Sequence, residues 1–599
     1  MKKTLLLLLV ITSTFLLNSQ TDKRLKGLEK ELNKVLEVTK TSGFAVAIVE
    51  GDQIVYSKGF GYRDYENKIP ADANTLFAIG SCTKAFTSGI LGQLRHTDKL
   101  SFDDSPIKHI PELRFFNENM NNNIIVKDLM AHRTGLPRHD MSWYLFPTFD
   151  KDSLIQRIEF QEPFTGARQK YHYNNFMFLV QGVIAERITK KSWEDNIKER
   201  FFKPLDMKNS NLNIADLEKS SNAAKGYELK NDSIIKKLEY YHIAAMAPAG
   251  SINSSVNEMS NWLIVWINDG KFKGEEILPK PYVKEAMSSQ MAVNGGLPKK
   301  EFPDMHMGAY GYGWFISSYR GHYRVEHGGA IDGFTASTTF FPSDKIGVVV
   351  LANQNGSPVP TMVRNIVSDR MLKTEKTDWI KRFEKQKAKN KKNQEEVNND
   401  KTSSKVKNTK PSHVLQEYIG KYEHPGYGAF DINVENDSLF AEFKLKKLYL
   451  KHFHYDVFQP FEVTKTGIDT TGSSPLRFNF DTNDAGDISL VNIKGEATLD
   501  PFEFKRTPKT IDVSSETLEQ YVGEYNLAGT TIKVYTKNED TLYLFVAGQP
   551  EYELLATGKH KFSFKALEGF KVEFEESDDN SINTMILIQP SGTFKTTRK

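Results

Sequence analysis

Ser81 and Lys84 stand three residues apart in AIGSCTKAFTS, a stretch that also contains the only cysteine of the 599-residue chain, Cys82. If a helix begins at Ser81, then Ser81, Lys84 and Ser88 share one face, whereas Cys82 falls on an apolar stripe with Phe86. A hydroxyl at a helix N-terminus lies near free backbone N–H groups, and a lysine with a lowered pKa can act as its base. The pair alone is compatible with a serine nucleophile for acyl transfer, with the thiol on a packing face, but an isolated Ser-x-x-Lys more often marks an ordinary helix start, and the same spacing recurs at Ser404 and Lys407.

Two further motifs lie downstream of this pair. YHYNNFMF contains the pattern Tyr-x-Asn, formed by Tyr173 and Asn175, and leads into a helical pattern. VEHGGAIDGF contains His327, Gly328 and Gly329 at the end of a predicted strand. In this order the three motifs resemble those of the serine β-lactamase and penicillin-binding-protein superfamily. They are most similar to its class C-like branch, which includes D-amino-acid peptidases and esterases.

The resemblance implies a role for each of these positions. Ser81 would be the acylated nucleophile and Lys84 its general-base partner. Tyr173 would share proton transfer and protonate the leaving group, and Asn175 would hold the substrate amide or orient the lysine. The backbone N–H groups of Ser81 and Ala330 would form the oxyanion hole. Acyl transfer needs this combination of nucleophile, proton shuttle and two donors aimed at one oxygen.

His327 is where the sequence departs from the pattern of the β-lactamases. Those enzymes and many carboxypeptidases of the superfamily have Lys-Thr-Gly or Lys-Ser-Gly there, and the lysine helps to bind a substrate carboxylate. A histidine is mostly neutral at pH 7 unless a partner raises its pKa, and strand alternation points Glu326 to the opposite face. We therefore expect His327 at the edge of the site and poor turnover of β-lactams. Gly328 and Gly329 would let the strand backbone approach the substrate closely.

Other residues that could bind a metal have simpler interpretations. AHRTGLPRH, with His132 and His139, is predicted to be a structural turn, and His452 and His454 share a strand face without an evident third ligand. Cys82 has no histidine partner in the sequence that would activate it as a nucleophile. We expect a site without metal or cofactor.

The elements that must position these residues form an N-terminal domain, expected over residues 20–373. Two β-rich runs around Gly51 indicate a hairpin, and Ser255 begins a helix in capping-box register with Glu258. Strand-like runs return at the end of the domain. This order predicts an α/β (α+β) fold, a β-lactamase-like domain with a central antiparallel sheet flanked by helices. The family resemblance covers nearly all of residues 30–370.

The chain beyond this domain changes character twice. Residues 374–411 are rich in lysine and almost free of apolar residues, which predicts a basic linker, helical at most in its early part. LQEYIGKY and LEQYVGEY then begin two copies of a repeat. We expect two homologous all-β modules, residues 412–508 and 514–599, built as small barrels or sandwiches. They resemble the lipocalin-like modules that are often appended to such hydrolases.

The N-terminus and the composition limit where the protein acts and on what. Two lysines precede an apolar run, which predicts a signal peptide over residues 1–19 and a periplasmic or secreted protein, with a membrane anchor as the alternative. No later segment predicts a membrane span after cleavage. A formal net charge of +3, without a basic stripe, argues against nucleic acid as a partner.

Together these observations predict an exported serine hydrolase that forms an acyl-enzyme on small amides or esters. Peptides containing D-amino acids are slightly favoured over simple esters, and cell-wall fragments are a further candidate partner. A β-lactamase or esterase of the same superfamily is the first alternative. The second is a receptor without catalytic activity that binds cell-wall peptides, although such a receptor has no need to keep a proton shuttle.

Overall fold

The structure is a computed structural model that describes residues 22–599 except positions 295, 299, 301, 401–403, 466, 471–473, 475, 509, 539, 568 and 580. The predicted signal peptide lies outside the described residues. No helix among the described residues is long and apolar enough to cross a membrane.

The N-terminal domain is built around one nine-stranded sheet, in which every neighbouring pair is antiparallel. Its spatial order is β10-β11-β12-β13-β14-β15-β1-β2-β3, so the first and last strands of the domain meet in the middle. This confirms the predicted central antiparallel sheet and the early hairpin. The strands of the domain are β1 (Gly43–Glu50), β2 (Gln53–Asp64), β3 (Ile69–Pro70), β4 (Phe77–Ala78), β5 (Gly226–Lys230), β6 (Ile234–Leu238), β7 (Asn253–Ser254), β8 (Lys271–Phe272), β9 (Glu275–Glu276), β10 (Met291–Asn294), β11 (Gly308–Tyr310), β12 (Phe315–Tyr319), β13 (His322–Ile331), β14 (Phe334–Phe341) and β15 (Ile346–Ala352).

Helices cover both faces of this sheet and connect its two halves. The helices up to the linker are α1 (Leu28–Thr39), α2 (Lys84–His96), α3 (Pro106–His109), α4 (Glu118–Asn123), α5 (Val126–Met130), α6 (Met141–Tyr144), α7 (Lys151–Gln156), α8 (Phe176–Thr189), α9 (Trp193–Ile197), α10 (Ile214–Lys219), α11 (Val256–Ile267), α12 (Lys280–Ala286), α13 (Val359–Met371) and α14 (Trp379–Asp400). Short 3₁₀ turns span Lys23–Leu25, Gly80–Thr83, Arg157–Phe160, Ala244–Ala249 and Leu415–Tyr418, and a π turn spans Lys198–Phe202. The predicted cap of α11 is present, because Ser255 Oγ accepts from the backbone N–H of Glu258 at 3.2 Å.

Strand β1 shows why the domain has three layers. Ala45, Ala47 and Val49 point into the core that holds α2, α8 and α11, whereas Val46 and Ile48 point into the core against α1 and α13. A strand that is buried on both faces has a nearly continuous apolar sequence, as FAVAIV does. The helices that carry the predicted site therefore pack on one face of the sheet, beside β13.

The first C-terminal module is an eight-stranded barrel, which we call barrel 1. Its ladder runs β19-β18-β17-β16-β24-β23-β22-β20 and closes through the β19–β20 pair, with β21 as an extra strand on β20. Its strands are β16 (Gly420–His424), β17 (Gly428–Glu435), β18 (Ser438–Glu442), β19 (Lys447–His454), β20 (Val457–Thr464), β21 (Gly467–Asp469), β22 (Phe478–Thr482), β23 (Ile488–Ile493) and β24 (Phe502–Thr507).

The second module, barrel 2, is also a closed barrel of eight strands, in which each strand pairs with the next and β32 returns to β25. The short helix α15 (Ser515–Glu519) precedes it. Its strands are β25 (Gly523–Leu527), β26 (Thr530–Lys537), β27 (Thr541–Val546), β28 (Tyr552–Gly558), β29 (Lys561–Phe564), β30 (Lys571–Glu576), β31 (Ile582–Gln589) and β32 (Gly592–Arg598). The predicted pair of all-β modules is thus confirmed, and both are barrels.

The repeat motif has the same structural role in both barrels. Tyr422 OH donates to the carbonyl of Tyr418 at 2.8 Å, and Tyr525 OH donates to the carbonyl of Tyr521 at 2.9 Å. Arg506 donates to backbone carbonyls of its own barrel, among them Ile419 O. The recurring tyrosines thus join the first strand of each barrel to the turn that precedes it.

The segment predicted as a basic linker contains a 22-residue helix, α14. Its first residue, Trp379, is 8% exposed and donates from Nε1 to Asp369 Oδ2 at 2.7 Å, which attaches the helix to α13. Most of the later described side chains of α14 are exposed, as expected from their charge.

Barrel 1 packs on the N-terminal domain through residues 137–147, which we call the 137–147 segment. Phe146 of this segment is 6% exposed and belongs to the core of barrel 1, where its ring stacks on Phe504 at 5.8 Å. His139 Nδ1 lies 2.7 Å from the hydroxyl of Tyr427. A side chain of the N-terminal domain is therefore part of the core of barrel 1.

Candidate active site

Ser81 lies in a tight turn between the sheet and α2. The chain forms one 3₁₀ turn over Gly80–Thr83, and the α-helix begins at Lys84 rather than at Ser81 as predicted. Gly80 has a φ of +51°, and a Cβ on Gly329 would lie only 1.8 Å from the carbonyl oxygen of Ile79. Glycine is therefore required at both positions for β13 to approach the turn.

Lys84 is fully buried and makes three polar contacts through Nζ. The amine lies 2.8 Å from Asn175 Oδ1, 2.8 Å from the carbonyl oxygen of Ala249 and 3.0 Å from Ser81 Oγ. Burial holds the pKa of Lys84 well below its ordinary value, and Arg138 adds to the effect while Asp140 opposes it. The amide and carbonyl oxygens accept the two N–H bonds of a neutral amine, so its lone pair is left for the serine hydroxyl.

Tyr173 lies beside the same pair. Lys84 Nζ is 4.9 Å from the centre of the tyrosine ring. Burial raises the pKa of Tyr173 far above neutral pH, and the neighbouring Ser81 opposes this effect only in part. The side chain is therefore a neutral phenol, which is suited to donating a proton rather than to abstracting one.

Asn175 is held in one orientation by a carboxylate. Its Nδ2 donates to Asp140 Oδ1 at 2.8 Å, which leaves Oδ1 directed at Lys84. Arg138 Nε and Trp143 Nε1 also donate to Asp140, at 2.5 Å and 2.7 Å. Of the two roles that the resemblance implied for Asn175, this geometry favours orienting the lysine.

His327 is placed close to the site but faces away from solvent. It is 2% exposed, its Nε2 lies 3.0 Å from Tyr310 OH, and its Nδ1 lies 2.6 Å from the carbonyl oxygen of Gly328. Burial, together with the charge of Lys84, lowers the pKa of His327 to about 3, so the ring is neutral at pH 7. Glu326 lies on the opposite face of β13 and pairs with Arg324 at 3.0 Å.

The backbone after His327 forms one wall of the site. Gly328 and Ala330 are exposed while Gly329 is buried against the serine turn. A Cβ built on Gly80 would lie 2.8 Å from the backbone nitrogen of Ala330, so the two backbone segments are in direct contact. Ser81 and Ala330 therefore line the same cavity.

Cys82 lies outside this arrangement. Its side chain is 1% exposed within the main apolar core, and Sγ donates to the carbonyl oxygen of His327 at 3.2 Å. Burial raises the pKa of the thiol to about 11, so it is un-ionised at neutral pH. Of the two neighbouring side chains, it is Ser81 that lines the cavity.

The two histidines of the predicted turn also have structural contacts. His132 is fully buried, stacks at 4.3 Å on the ring of Tyr173 and accepts from the backbone N–H of Asn174 at 3.1 Å. His139 joins the 137–147 segment to barrel 1. Among the described residues, no group of three or more His, Cys, Asp or Glu side chains is arranged to hold a metal ion.

Ser81 opens into a cavity of about 350 Å³. Its walls come from the serine turn, the 137–147 segment, α8, the 3₁₀ turn before β7 and the end of β13. The polar side chains that line it include Arg138, Asp140, Tyr144, Asn175 and Asp332.

Comparison with known proteins agrees with this geometry. A family model described as Beta-lactamase matches residues 28–369, which is more than half of the chain. The chain belongs to the β-lactamase family. A second family model, described as a domain of unknown function (DUF3471), matches residues 404–506, the region of barrel 1.

Individual relatives of this β-lactamase-family chain are distant. "Protein flp" of Staphylococcus aureus strain MW2 is 25% identical over 326 residues, which cover 54% of this chain and 62% of the relative. The chain thus matches about three fifths of the length of that relative. "Unguisins hydrolase ungD" of Aspergillus violaceofuscus is 24% identical over 513 residues, or 80% of this chain and 85% of the relative. The octameric penicillin-binding protein homologue of Pyrococcus abyssi has the same fold, with a TM-score of 0.54, 20% identity and coverage of 80% of this chain and 100% of its own.

Three residues of the β-lactamase-family site were not identified from the sequence. Arg138 was included in the stretch AHRTGLPRH, which was interpreted as a structural turn, Asp140 follows that stretch, and Ala249 contributes only its carbonyl. A carbonyl contact has no sequence signal. Asp140 has a weak one, because a carboxylate three residues after the Gly-Leu-Pro sequence was available to fix a polar partner.

Proposed function

We propose that this protein is an exported serine hydrolase that cleaves small amides or esters through an acyl-enzyme on Ser81. One observation carries the proposal: Lys84 is buried, its pKa is lowered, and two fixed oxygens occupy the N–H bonds of its neutral form. Its lone pair then lies 3.0 Å from the Ser81 hydroxyl. A lysine that served only structure would be expected to pair with a carboxylate.

In the proposed reaction, Lys84 takes the proton of Ser81 as the serine oxygen attacks the substrate carbonyl. The N–H groups of Ser81 and Ala330 stabilise the oxyanion. The tetrahedral intermediate then breaks, and the Tyr173 phenol gives its proton to the leaving amine or alkoxide while the proton on Lys84 restores the tyrosine. Water hydrolyses the acyl-enzyme by the same steps in reverse order.

The substrate proposal is D-amino-acid peptides or related small amides, with simple esters next. The neutral, buried His327 provides no cation for a substrate carboxylate, which is the feature that disfavours β-lactams and C-terminal carboxylates. The name of the Aspergillus relative describes a hydrolase, which supports hydrolysis as the reaction class. A β-lactamase activity is the alternative within the same mechanism.

The test is a panel of three substrates: a D-alanyl anilide, a short-chain nitrophenyl ester and nitrocefin. We expect Ser81→Ala to lower every measurable activity by roughly a thousandfold or more. Cys82→Ala is the matched control on the neighbouring residue and should keep most of the activity. Hydrolysis that survives Ser81→Ala, or that is lost in a folded Cys82→Ala variant, would show that the nucleophile is wrongly assigned.

A fluorophosphonate label separates catalysis from binding. The wild-type protein should carry the label on Ser81, as located by peptide mass spectrometry. Absence of labelling in folded protein would favour the receptor without catalytic activity. Export is proposed from the apolar N-terminal run, and N-terminal sequencing of the protein recovered from the periplasm or medium should begin near residue 20.

A further inference from the structure

A second cavity, of about 310 Å³, adjoins the cavity that contains Ser81. The two cavities share part of their walls, and the shared residues are Tyr241, Ile243, Gly250, Ile331 and Asp332. They are therefore adjacent, with Ser81 in the first cavity and a side pocket in the second.

The side pocket is lined mainly by apolar groups. Tyr240, Leu212, Ile214 and Phe334 form much of its wall, and Phe149 stands at its edge with 74% of its surface exposed. Pockets of this size and character bind apolar groups of small ligands. A fragment the size of a benzyl side chain fits a volume of this order, whereas a methyl group would leave most of it empty.

Asp332 places a negative charge where the two cavities meet. Its Oδ2 accepts from Tyr144 OH at 2.8 Å, and no described cation lies within ion-pair distance of it. Lys446 is directed at Tyr144 OH, at 3.3 Å, instead of at the carboxylate. The other charged groups in the cleft are compensated, since Arg138 pairs with Asp140 at 2.5 Å, and Lys151 pairs with Glu194 at 3.2 Å.

An unpartnered hydroxyl supports the interpretation that a ligand completes this region. Ser251 is 7% exposed and lines the side pocket, and its Oγ has no hydrogen-bond partner among the described residues. Buried polar groups are nearly always hydrogen-bonded, so a polar atom of a ligand is the natural partner.

We propose that the side pocket binds a large apolar side chain of the acyl group, and that Asp332 binds a free ammonium group on the same residue. The preferred acyl donor is then an aromatic or branched aliphatic amino acid with an unblocked amino group. This inference rests on the proposed serine chemistry and names the substrate class of that site. The acyl group stays on Ser81 after the leaving group has departed, so a pocket that adjoins the serine cavity can hold its side chain through both steps.

The charge is tested with nitroanilides of D-phenylalanine and N-acetyl-D-phenylalanine. The wild type should prefer the free amine, and Asp332→Asn should lower the ratio of the two kcat/KM values about tenfold or more. Asp98→Asn, a carboxylate in the turn after α2, is the matched control and should leave the ratio unchanged. An unchanged ratio in Asp332→Asn would overturn the ammonium site.

The pocket is tested with the nitroanilides of D-phenylalanine and D-alanine. Ile214→Trp fills the pocket and Phe149→Ala removes its outer wall, so each should lower the preference for D-phenylalanine, by about tenfold for the filled pocket. Phe149 is exposed, so its variant should fold even if the other does not. Preferences that stay at the wild-type value in both variants would overturn the pocket assignment.

The result also separates this inference from the proposed function. Ser81-dependent hydrolysis of a nitrophenyl ester with unchanged nitroanilide preferences would refute the subsite and leave the serine chemistry intact. Absence of Ser81-dependent hydrolysis on every substrate would refute both.

Discussion

The two C-terminal barrels have the same architecture but different surroundings. Barrel 1 takes Phe146 of the N-terminal domain into its own core. Barrel 2 contacts barrel 1, for example through Lys571 and Asp487 at 2.8 Å, and none of its described polar contacts reaches the N-terminal domain. One copy of the repeat packs against the 137–147 segment, which lines the candidate active site, whereas the other copy does not.

The contacts of barrel 1 lead in a few steps to Lys84, the proposed base. Ser142 Oγ donates to the carbonyl of Gly426 at 2.7 Å, and Nδ1 of His139, the residue before Asp140, lies 2.7 Å from the hydroxyl of Tyr427. Asp140 in turn orients the amide that faces Lys84. Barrel 1 therefore fixes the 137–147 segment, which sets the environment of Lys84. We expect substitutions that disturb barrel 1 to lower kcat, and matched substitutions in barrel 2 to leave it unchanged.

The largest effect should come from removing the shared aromatic side chain. Phe146→Ala leaves a cavity where barrel 1 meets the N-terminal domain and should cost about 3–5 kcal/mol of stability, with a large loss of kcat. Phe574→Ala makes the matched change in the core of barrel 2, where the side chain is 4% exposed. Thermal unfolding measures the loss of stability in both variants, and turnover measures the loss of kcat. Equal losses of kcat would mean that the two barrels do not differ in function.

A smaller and more specific effect concerns the pH dependence. Lys84 must be neutral to act as a base, so kcat/KM rises with pH through its pKa, which Asp140 raises and Arg138 lowers. Asp140→Asn should therefore shift the acidic limb of the profile to lower pH, and Arg138→Gln should shift it to higher pH.

The pH profile of a barrel 2 variant, Glu553→Gln, should be that of the wild type. Shifts of the same sign for the two loop variants would contradict the assignment of Lys84 as the base. A lower kcat/KM without any shift of the acidic limb would mean that Asp140 and Arg138 act only by positioning their neighbours.

The smallest effect should follow the loss of a single hydrogen bond. Tyr427→Phe removes the contact with His139, worth about 1 kcal/mol, and should lower kcat a few-fold. Tyr535→Phe removes a tyrosine contact to Glu551 in barrel 2 and should leave kcat unchanged. If Tyr535→Phe lowers kcat as much as Tyr427→Phe does, the two barrels affect the candidate active site equally.

The fold was largely predictable because periodicity and order along the chain determine it. Two β-rich runs at the start and three at the end predicted one antiparallel sheet, and a repeated Tyr-x-Gly-x-Tyr pattern predicted two equivalent modules. Helix α14 was treated as a linker, because its charge pattern conceals the apolar residues that attach it, Trp379 with Ile380 and Phe383.

The sequence predicted only the site residues that lie in recognisable motifs. The structure brings Ser81, Lys84, Tyr173 and Asn175 together, as the family resemblance implied. The influence of Asp140 and of barrel 1 had no such signal. Tyr427 contacts a loop that lies nearly 300 residues earlier in the chain, and no local pattern records a docking surface of that kind.

The pairing of β1 with β15 has a consequence for how the protein is made. Phe44 is paired with Ala352, so about 300 residues must leave the ribosome before the first hairpin finds its neighbour in the sheet. Barrel 1 is synthesised later still, and until it folds Phe146 has no core to enter. A nascent chain would thus contain Ser81 and Lys84 long before it could use them, and the proposed hydrolytic activity would appear only after β24, the last strand of barrel 1, has been made.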